Sequence, residues 1–205
     1  MKKILGLAVA ALLVMTLVGS GTWAYFSDTE TSADNTLVAG TLDLNINGGN
    51  AAVYTFQVSN KAPGDSGSGS NTLANVGSLD GELDIELTDV TNTPGEDGEF
   101  GGGDGELGAN TEIAIYIDVN QNGNWNNGDI GLKWNSNTYN HPTDLDYAPI
   151  DDYADAIWDA VETMAPSAPD DIIILWRIPA EVDNEIQGDS VTFDVIFTIE
   201  QAEAD

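Results

Sequence analysis

No cysteine occurs among the 205 residues, so no disulfide can staple this fold. Positive charge is almost as scarce, with five Lys and Arg against 35 Asp and Glu. Lys2 and Lys3 stand at the very start and every acid lies after residue 24, so from residue 25 onward the balance is 3 − 35 = −32. Such a surface repels nucleic acid and anionic lipid, which excludes both as partners. It suits a surrounding rich in divalent cations or salt, where self-repulsion is screened. Histidine is nearly missing too. His141 is the single one, set beside Pro142 in a polar stretch, and it reads as a surface residue. One histidine and no His-Glu-x-x-His motif cannot build a typical zinc protease site. No Asn-x-Ser/Thr triplet is present, so sugar on that motif is not expected.

A long apolar run is lacking as well. The only candidate, residues 4–18, is broken by Gly6 and Thr16 and falls short of the roughly 20 residues a membrane span needs. With Met1-Lys2-Lys3 before it and small residues up to Ala24 after it, it has the layout of an export signal. Signal peptidase is expected to cut between Ala24 and Tyr25, so contact with a membrane ends there. The 181 residues that remain suffice for one domain with its own core.

Strict alternation then dominates. Leu42, Leu44 and Ile46 share one face of a strand; residues 51–59 read as the next. The Gly/Ser-rich residues 66–70 read as a loop unable to build a core. Leu83, Ile85 and Leu87 alternate with acids, Ile113, Ile115 and Ile117 repeat the pattern, residues 171–176 are the most apolar strand, and Val191 to Ile199 alternate again. Residues 91–110 form a long loop with seven glycines and five acids, Glu96, Asp97, Glu99, Asp104 and Glu106, a weaker candidate for a second cation. Between Asp144 and Met164 the apolar positions Ile150, Tyr153, Ile157, Trp158, Val161 and Met164 recur at threes and fours. That spacing predicts an amphipathic helix, with Pro149 in its first turn. Many short strands and one helical insertion predict a mainly β protein, a jelly-roll-like β-sandwich with one inserted amphipathic helix and long acidic loops.

One local motif carries chemistry. From Asp118 to Asp129 the sequence fits D-x-[DN]-x-[DN]-G-x5-acid, the twelve-residue calcium loop. Asp118, Asn120 and Asn122 occupy positions 1, 3 and 5, Asn124 offers a carbonyl at position 7, Gly123 makes the sharp turn and Asp129 closes the set. Oxygen donors alone select a hard cation such as calcium. Two charged ligands, and Asp where Glu is usual, predict weak binding of ~10⁻⁴–10⁻³ M. The alternating strand before it places the loop between strands rather than in an EF-hand. Asn and Gly also favour plain turns, so a metal-free hairpin is the alternative. Among the tryptophans, Trp158 and Trp176 read as core, while Trp125 and Trp134 remain candidates for a carbohydrate-binding platform.

The stretch Gly21-Thr-Trp-Ala-Tyr-Phe-Ser-Asp28, followed by Leu37-Val-Ala-Gly-Thr-Leu-Asp-Leu44, resembles the opening of the TasA/camelysin family. The likeness continues at Ala62-Pro-Gly-Asp65, Asn75-Val-Gly-Ser-Leu79 and Gly188-Asp-Ser-Val-Thr-Phe-Asp194. This resemblance implies a SipW-type signal peptide and a secreted jelly-roll subunit, as in archaeal bundling pili. It implies fibres built by donor-strand exchange, in which each mature N-terminal segment enters the sheet of an identical neighbour. Camelysin-like proteins also carry a metalloprotease label, which the histidine count does not support. On this reading residues 1–24 are the signal, 25–36 the donor arm and 37–205 the sandwich. Tyr25, Phe26, Ser27, Asp28, Thr29, Glu30 and Thr31 lead the arm. With only two large apolar residues the arm cannot offset an ordering cost of roughly 1–2 kcal/mol per residue alone, whereas pairing in a partner's sheet supplies a ladder. A head-to-tail contact of this kind does not close on itself and propagates into a polymer. A monomeric calcium-binding adhesin or carbohydrate-binding module is the alternative from another class.

Overall fold

Segments with one apolar and one polar face pair into sheets and bury the apolar side, and most of the eleven strands among the described residues follow that rule. The computed structural model describes residues 40–50, 53–95, 105–141 and 143–201. In order these form β1 (Leu44–Ile46), β2 (Val53–Ser59), β3 (Ser66–Asn75), β4 (Gly81–Thr93), a one-turn helix α1 (Leu107–Asn110) and β5 (Glu112–Asp118). Then come β6 (Ile130–Lys133), β7 (Asn137–Asn140), β8 (Ala148–Pro149), the 3-10 turn η1 (Ile150–Tyr153), β9 (Ala156–Met164), β10 (Pro169–Arg177), the 3-10 turn η2 (Asn184–Ile186) and β11 (Ser190–Glu200). Two antiparallel sheets result. The larger runs β1-β3-β10-β5-β6-β7 with β8 also on β5, and the smaller runs β2-β11-β4-β9.

The sheets pack as a sandwich. Leu73, Ile113, Ile115, Ile117, Ile172 and Ile174 from one meet Leu83, Ile85, Leu87, Trp158, Val191, Phe193 and Val195 from the other, all buried. Phe56 stacks on Phe193 with ring centroids 5.0 Å apart. The mainly β sandwich expected from alternation is therefore observed, with one short helix.

Two expectations need correction. The 150–164 stretch is not an amphipathic helix: it is η1 followed by β9. Ala156 and Trp158 are buried at period two, and then a bulge with Ala160 at φ 48° resets the alternation, so that Val161 and Met164 turn inward three residues apart. A turn plus a bulged strand thus reproduces helical spacing. The Gly/Ser run is not a loop either. It begins β3, a ten-residue strand paired along its whole length with β10. Its inward positions need no side chain, because a Cβ on Gly67 or Gly69 would lie 2.8 Å from the ring of Trp176 or Phe56 respectively. Rings from neighbouring strands fill the space that β3 leaves.

The sandwich has two ends. At one, Asn75 is fully buried; its Nδ2 donates to the carbonyls of Leu79 (2.7 Å) and Met164 (3.0 Å), and its Oδ1 accepts the Gly77 N–H, tying the two sheets together. Gly40 and Thr41 lie here, with Ser78 N–H donating to the Thr41 carbonyl. At the other end, Gly64 and Asp65 exchange backbone bonds with Ile178 and close the crossover from β2 to β3. The sequence stretches 62–65 and 75–79 are thus the joints of the sandwich. The export signal, the Ala24/Tyr25 cleavage pair, the arm and Glu96, Asp97, Glu99 and Asp104 lie outside the described residues. Among the described residues, no helix is long and apolar enough to cross a membrane.

Candidate functional site

β5 carries its core residues on one face and Tyr116 and Asp118 on the other, and the chain that leaves Asp118 folds back over that outer face before entering β6. This hairpin is the predicted calcium loop. Asp118 ends β5 and Asp129 immediately precedes β6, so the antiparallel pairing of the two strands brings positions 1 and 12 together. Gln121 and Gly123 adopt positive φ, 53° and 76°, which bends the loop inward. The Asp118 carboxylate then accepts the N–H groups of Asn122 (3.3 Å) and Gly123 (2.5 Å), while Asp129 accepts that of Asn126 (2.7 Å).

Both carboxylates are fully buried, at 0% exposure. Burial pushes the Asp129 carboxyl above its ordinary range; the Asp118 charge adds to the rise, and the Asn126 and Val119 N–H groups oppose it. Tyr116 beneath them is pushed up to about 12 by burial, helped by the charges of Asp118 and Asp129. Among the described residues neither carboxylate forms an ion pair, and nearby His141 opposes the rise at Asp129 only as the smallest contribution. The ion pairs among the described residues are Lys133–Asp146 (3.7 Å) and Arg177–Glu112 (2.6 Å). Two buried negative charges in an oxygen-lined loop fit a hard cation.

The remaining oxygens come from amides. Asn122 Nδ2 donates to Asn120 Oδ1, Asn120 Nδ2 reaches Asn126 Oδ1 (3.0 Å) and Asp129 Oδ1 (3.2 Å), and Asn126 Nδ2 donates to the Asn124 carbonyl (2.6 Å). All five predicted positions therefore lie in one hydrogen-bonded loop. Its amides bond to each other where a cation would take their oxygens. Among the described residues no three His, Cys, Asp or Glu side chains gather as a metal group, so any set must include these asparagines.

Trp125 packs over this hairpin against Tyr116, Tyr139 and His141, with centroids 5.5, 5.5 and 5.9 Å away, and its Nε1 donates to the Thr143 carbonyl. It is a lid on Tyr116 more than an open platform, and His141 is part of the same stack. Trp134 is 45% exposed, whereas Trp158 is buried and Trp176 is half-buried beneath Lys61.

Two acidic features escaped sequence reasoning. Asp189, only 2% exposed, accepts the N–H groups of Gly95 (2.7 Å) and Glu106 (2.9 Å), which brackets both ends of the 96–104 segment. Glu162 on β9 and Asp170 on β10 form the second. Burial and the neighbouring charge of Asp170 raise Glu162 to about 7; burial and the charges of Asp171 and Asp118 raise Asp170 to about 6. Glu162 Oε2 is buried without a partner. Nothing in composition marks two acids out of 35 as buried; only the fold does.

Comparison with known proteins adds two findings. A family profile described as camelysin metallo-endopeptidase matches residues 1–205. The major biofilm matrix component of Bacillus subtilis (strain 168) is 46% identical over 80 residues, which is 38% of this chain and 29% of that protein.

Proposed function

We propose that this chain, which belongs to the camelysin metallo-endopeptidase family, is an exported structural subunit of an extracellular filament, a pilus-like fibre of the biofilm-matrix type. The observation that carries this reading is the 46% identity to a protein described as a major biofilm matrix component. Sequence and fold support it. In the sequence an export-type leader precedes a polar segment, and that segment leads into a sandwich whose sheets end in open edges. Signal peptidase removes residues 1–24, and the arm headed by Tyr25 and Phe26 enters the sheet of an identical subunit. Main-chain hydrogen bonds give such an added strand its affinity.

The role is structural, not catalytic. The family's description names a metallo-endopeptidase, but a single histidine leaves this chain without the ligands of a typical zinc protease. Calcium in the 118–129 loop would neutralise Asp118 and Asp129 and stiffen the hairpin. A monomeric calcium-binding adhesin or sugar-binding module is favoured only by the exposed Trp134.

Electron microscopy of protein recovered from the medium separates the two. Ordered fibres are expected, and deletion of residues 25–35 should abolish them while leaving the thermal transition of the sandwich in place. Persistent monomers of the intact exported chain, or fibres unchanged by the deletion, refute the proposal.

A further inference from the structure

The larger sheet ends on one flank in a lane that a single short strand fills only halfway. β1 pairs with β3 at Leu73, Ala74 and Asn75. Asn47 adds one more rung: its N–H donates to the Thr72 carbonyl and its side-chain oxygen accepts the Thr72 N–H. The other end of β3, residues 66–71, is paired through β10 alone among the described residues. Because the backbone of Thr72 points into the lane, period two directs the N–H and C=O groups of Ser70, Ser68 and Ser66 into it as well. All three residues are exposed.

Unpaired edges invite aggregation, and proteins blunt them with charge, proline, bulges or brevity. Of the three other lateral edges among the described residues two are blunted, while β2 (Val53–Ser59) on the smaller sheet is also uncharged and pairs with β11 alone. β9 has the exposed Asp159 and the bulge at Ala160. β7 has only four residues, on a flank where Trp158 Nε1 donates to the Lys133 carbonyl and ties the sheets together. Residues 66–71 carry no charge, no proline and no bulge. Their inner wall is smooth, since Gly67 and Gly69 lie against the rings of Trp176 and Phe56.

Resting on the donor-strand reading above, we infer that the acceptor is this half-lane along residues 66–71 of β3, and that its occupant is the 25–36 segment of a second copy, paired antiparallel to β3. Polarity supports the assignment. The described chain begins at Gly40, at the Asn75 end of the sandwich, whereas the open half-lane lies toward the Asp65–Ile178 end. With copies stacked end to end, an arm reaching back from its own body runs in the same direction as β1, and therefore antiparallel to β3. Each lane then holds two strands in line: the subunit's own β1 and the arm of the next subunit. Twelve extended residues reach about 40 Å, and six residues of edge need about 20 Å, so the span suffices.

The arm's own pattern matches. At period two Asp28, Glu30 and Asp34 fall on one face, while Ser27, Thr29, Thr31 and Ala33 fall on the other. The acids face water and the small residues face the glycine-lined wall.

The absence of cysteine makes a cross-linking test clean. Ser68→Cys, on the outer face of β3, is combined in turn with Asp28→Cys, Glu30→Cys and Ser32→Cys in the exported chain. One combination should give a ladder of disulfide-linked oligomers that collapses on reduction, since facing Cα atoms in an antiparallel pair lie within about 5.5 Å. Ladders formed through Thr55→Cys on β2, Thr138→Cys on β7 or Asp159→Cys on β9 instead would overturn the assignment while leaving arm-driven assembly intact. Ser68→Pro is the second test. It removes an N–H that points into the lane and not toward β10, so the monomer should melt near the wild-type temperature while fibre yield falls at least tenfold. Normal fibres from a folded Ser68→Pro chain refute the half-lane. Fibres that survive deletion of the arm refute the underlying function instead.

Discussion

Asp129→Asn separates a calcium loop from an ordinary hairpin because the two predict opposite signs. In the wild type, burial and the charge of Asp118 raise the Asp129 carboxyl, so without a cation the folded loop favours a neutral group there. An asparagine keeps one oxygen for the Asn126 N–H and removes the repulsion. In chelator the variant should therefore melt at the wild-type temperature or above it. Calcium reverses the order. With a dissociation constant of about 0.1–1 mM, 10 mM calcium stabilises the wild type by RT ln(1 + [L]/Kd), about 1.4–2.7 kcal/mol. For a domain of this size that corresponds to a rise in Tm of roughly 3–10 °C. Asp129→Asn, left with one charged ligand, should show little of it. Differential scanning calorimetry in EDTA and in 10 mM calcium, with magnesium as control, reads all four conditions. A wild-type Tm indifferent to calcium refutes the site. So does a variant whose loss in EDTA equals its loss in calcium, since the carboxylate would then serve only as a turn acceptor.

Two further outcomes follow from buried acids. Glu162 and Asp170 hold their protons more tightly folded than unfolded, so their contribution is present at low pH and is lost as pH rises from the ordinary carboxylate range through about 6–7. Glu162→Gln should add about 1 kcal/mol at pH 8 and nothing at pH 4 by chemical denaturation; a gain independent of pH contradicts the assignment. Asp189→Ala leaves the Gly95 and Glu106 N–H groups without their acceptor. It should cost about 3 kcal/mol, and proteolysis near residues 96–104 should quicken, whereas an unchanged cleavage rate would show that the bracket does not restrain that segment.

The sequence reveals those strands whose two faces differ chemically. Leu83, Ile85 and Leu87, or Val191 through Phe197, alternate because one face meets the core and the other meets water. It hides strands whose inner face is furnished by someone else. Gly67 and Gly69 present nothing to a periodicity search, yet they are inward positions on which the rings of Trp176 and Phe56 lie. It also misreports a strand whose register shifts: with Ala160 bulged, Trp158, Val161 and Met164 acquire the spacing of a helix. The hairpin from Asp118 to Asp129 was legible at every position because its residues are consecutive. The Glu162–Asp170 pair and the Asp189 bracket were not, since each joins groups that only strand pairing brings together.

Charge distribution accounts for how the proposed polymer could form from so acidic a chain. At physiological ionic strength, exposed charges more than about 8 Å apart scarcely feel one another, so the decisive repulsion is local to the contact. Along β3 the ten residues from Ser66 to Asn75 include no ionisable side chain, and on the proposed pairing Asp28, Glu30 and Asp34 would share one face of the arm. The charges elsewhere on the surface instead oppose wrong pairings. The exposed Asp159 stands on the β9 edge of the smaller sheet. A strand approaching the smaller sheet there meets like charge at close range, whereas the half-lane beside β3 offers unpaired backbone groups without it. On the proposed reading the same acidity steers an added strand away from the β9 edge and toward an uncharged one such as β3.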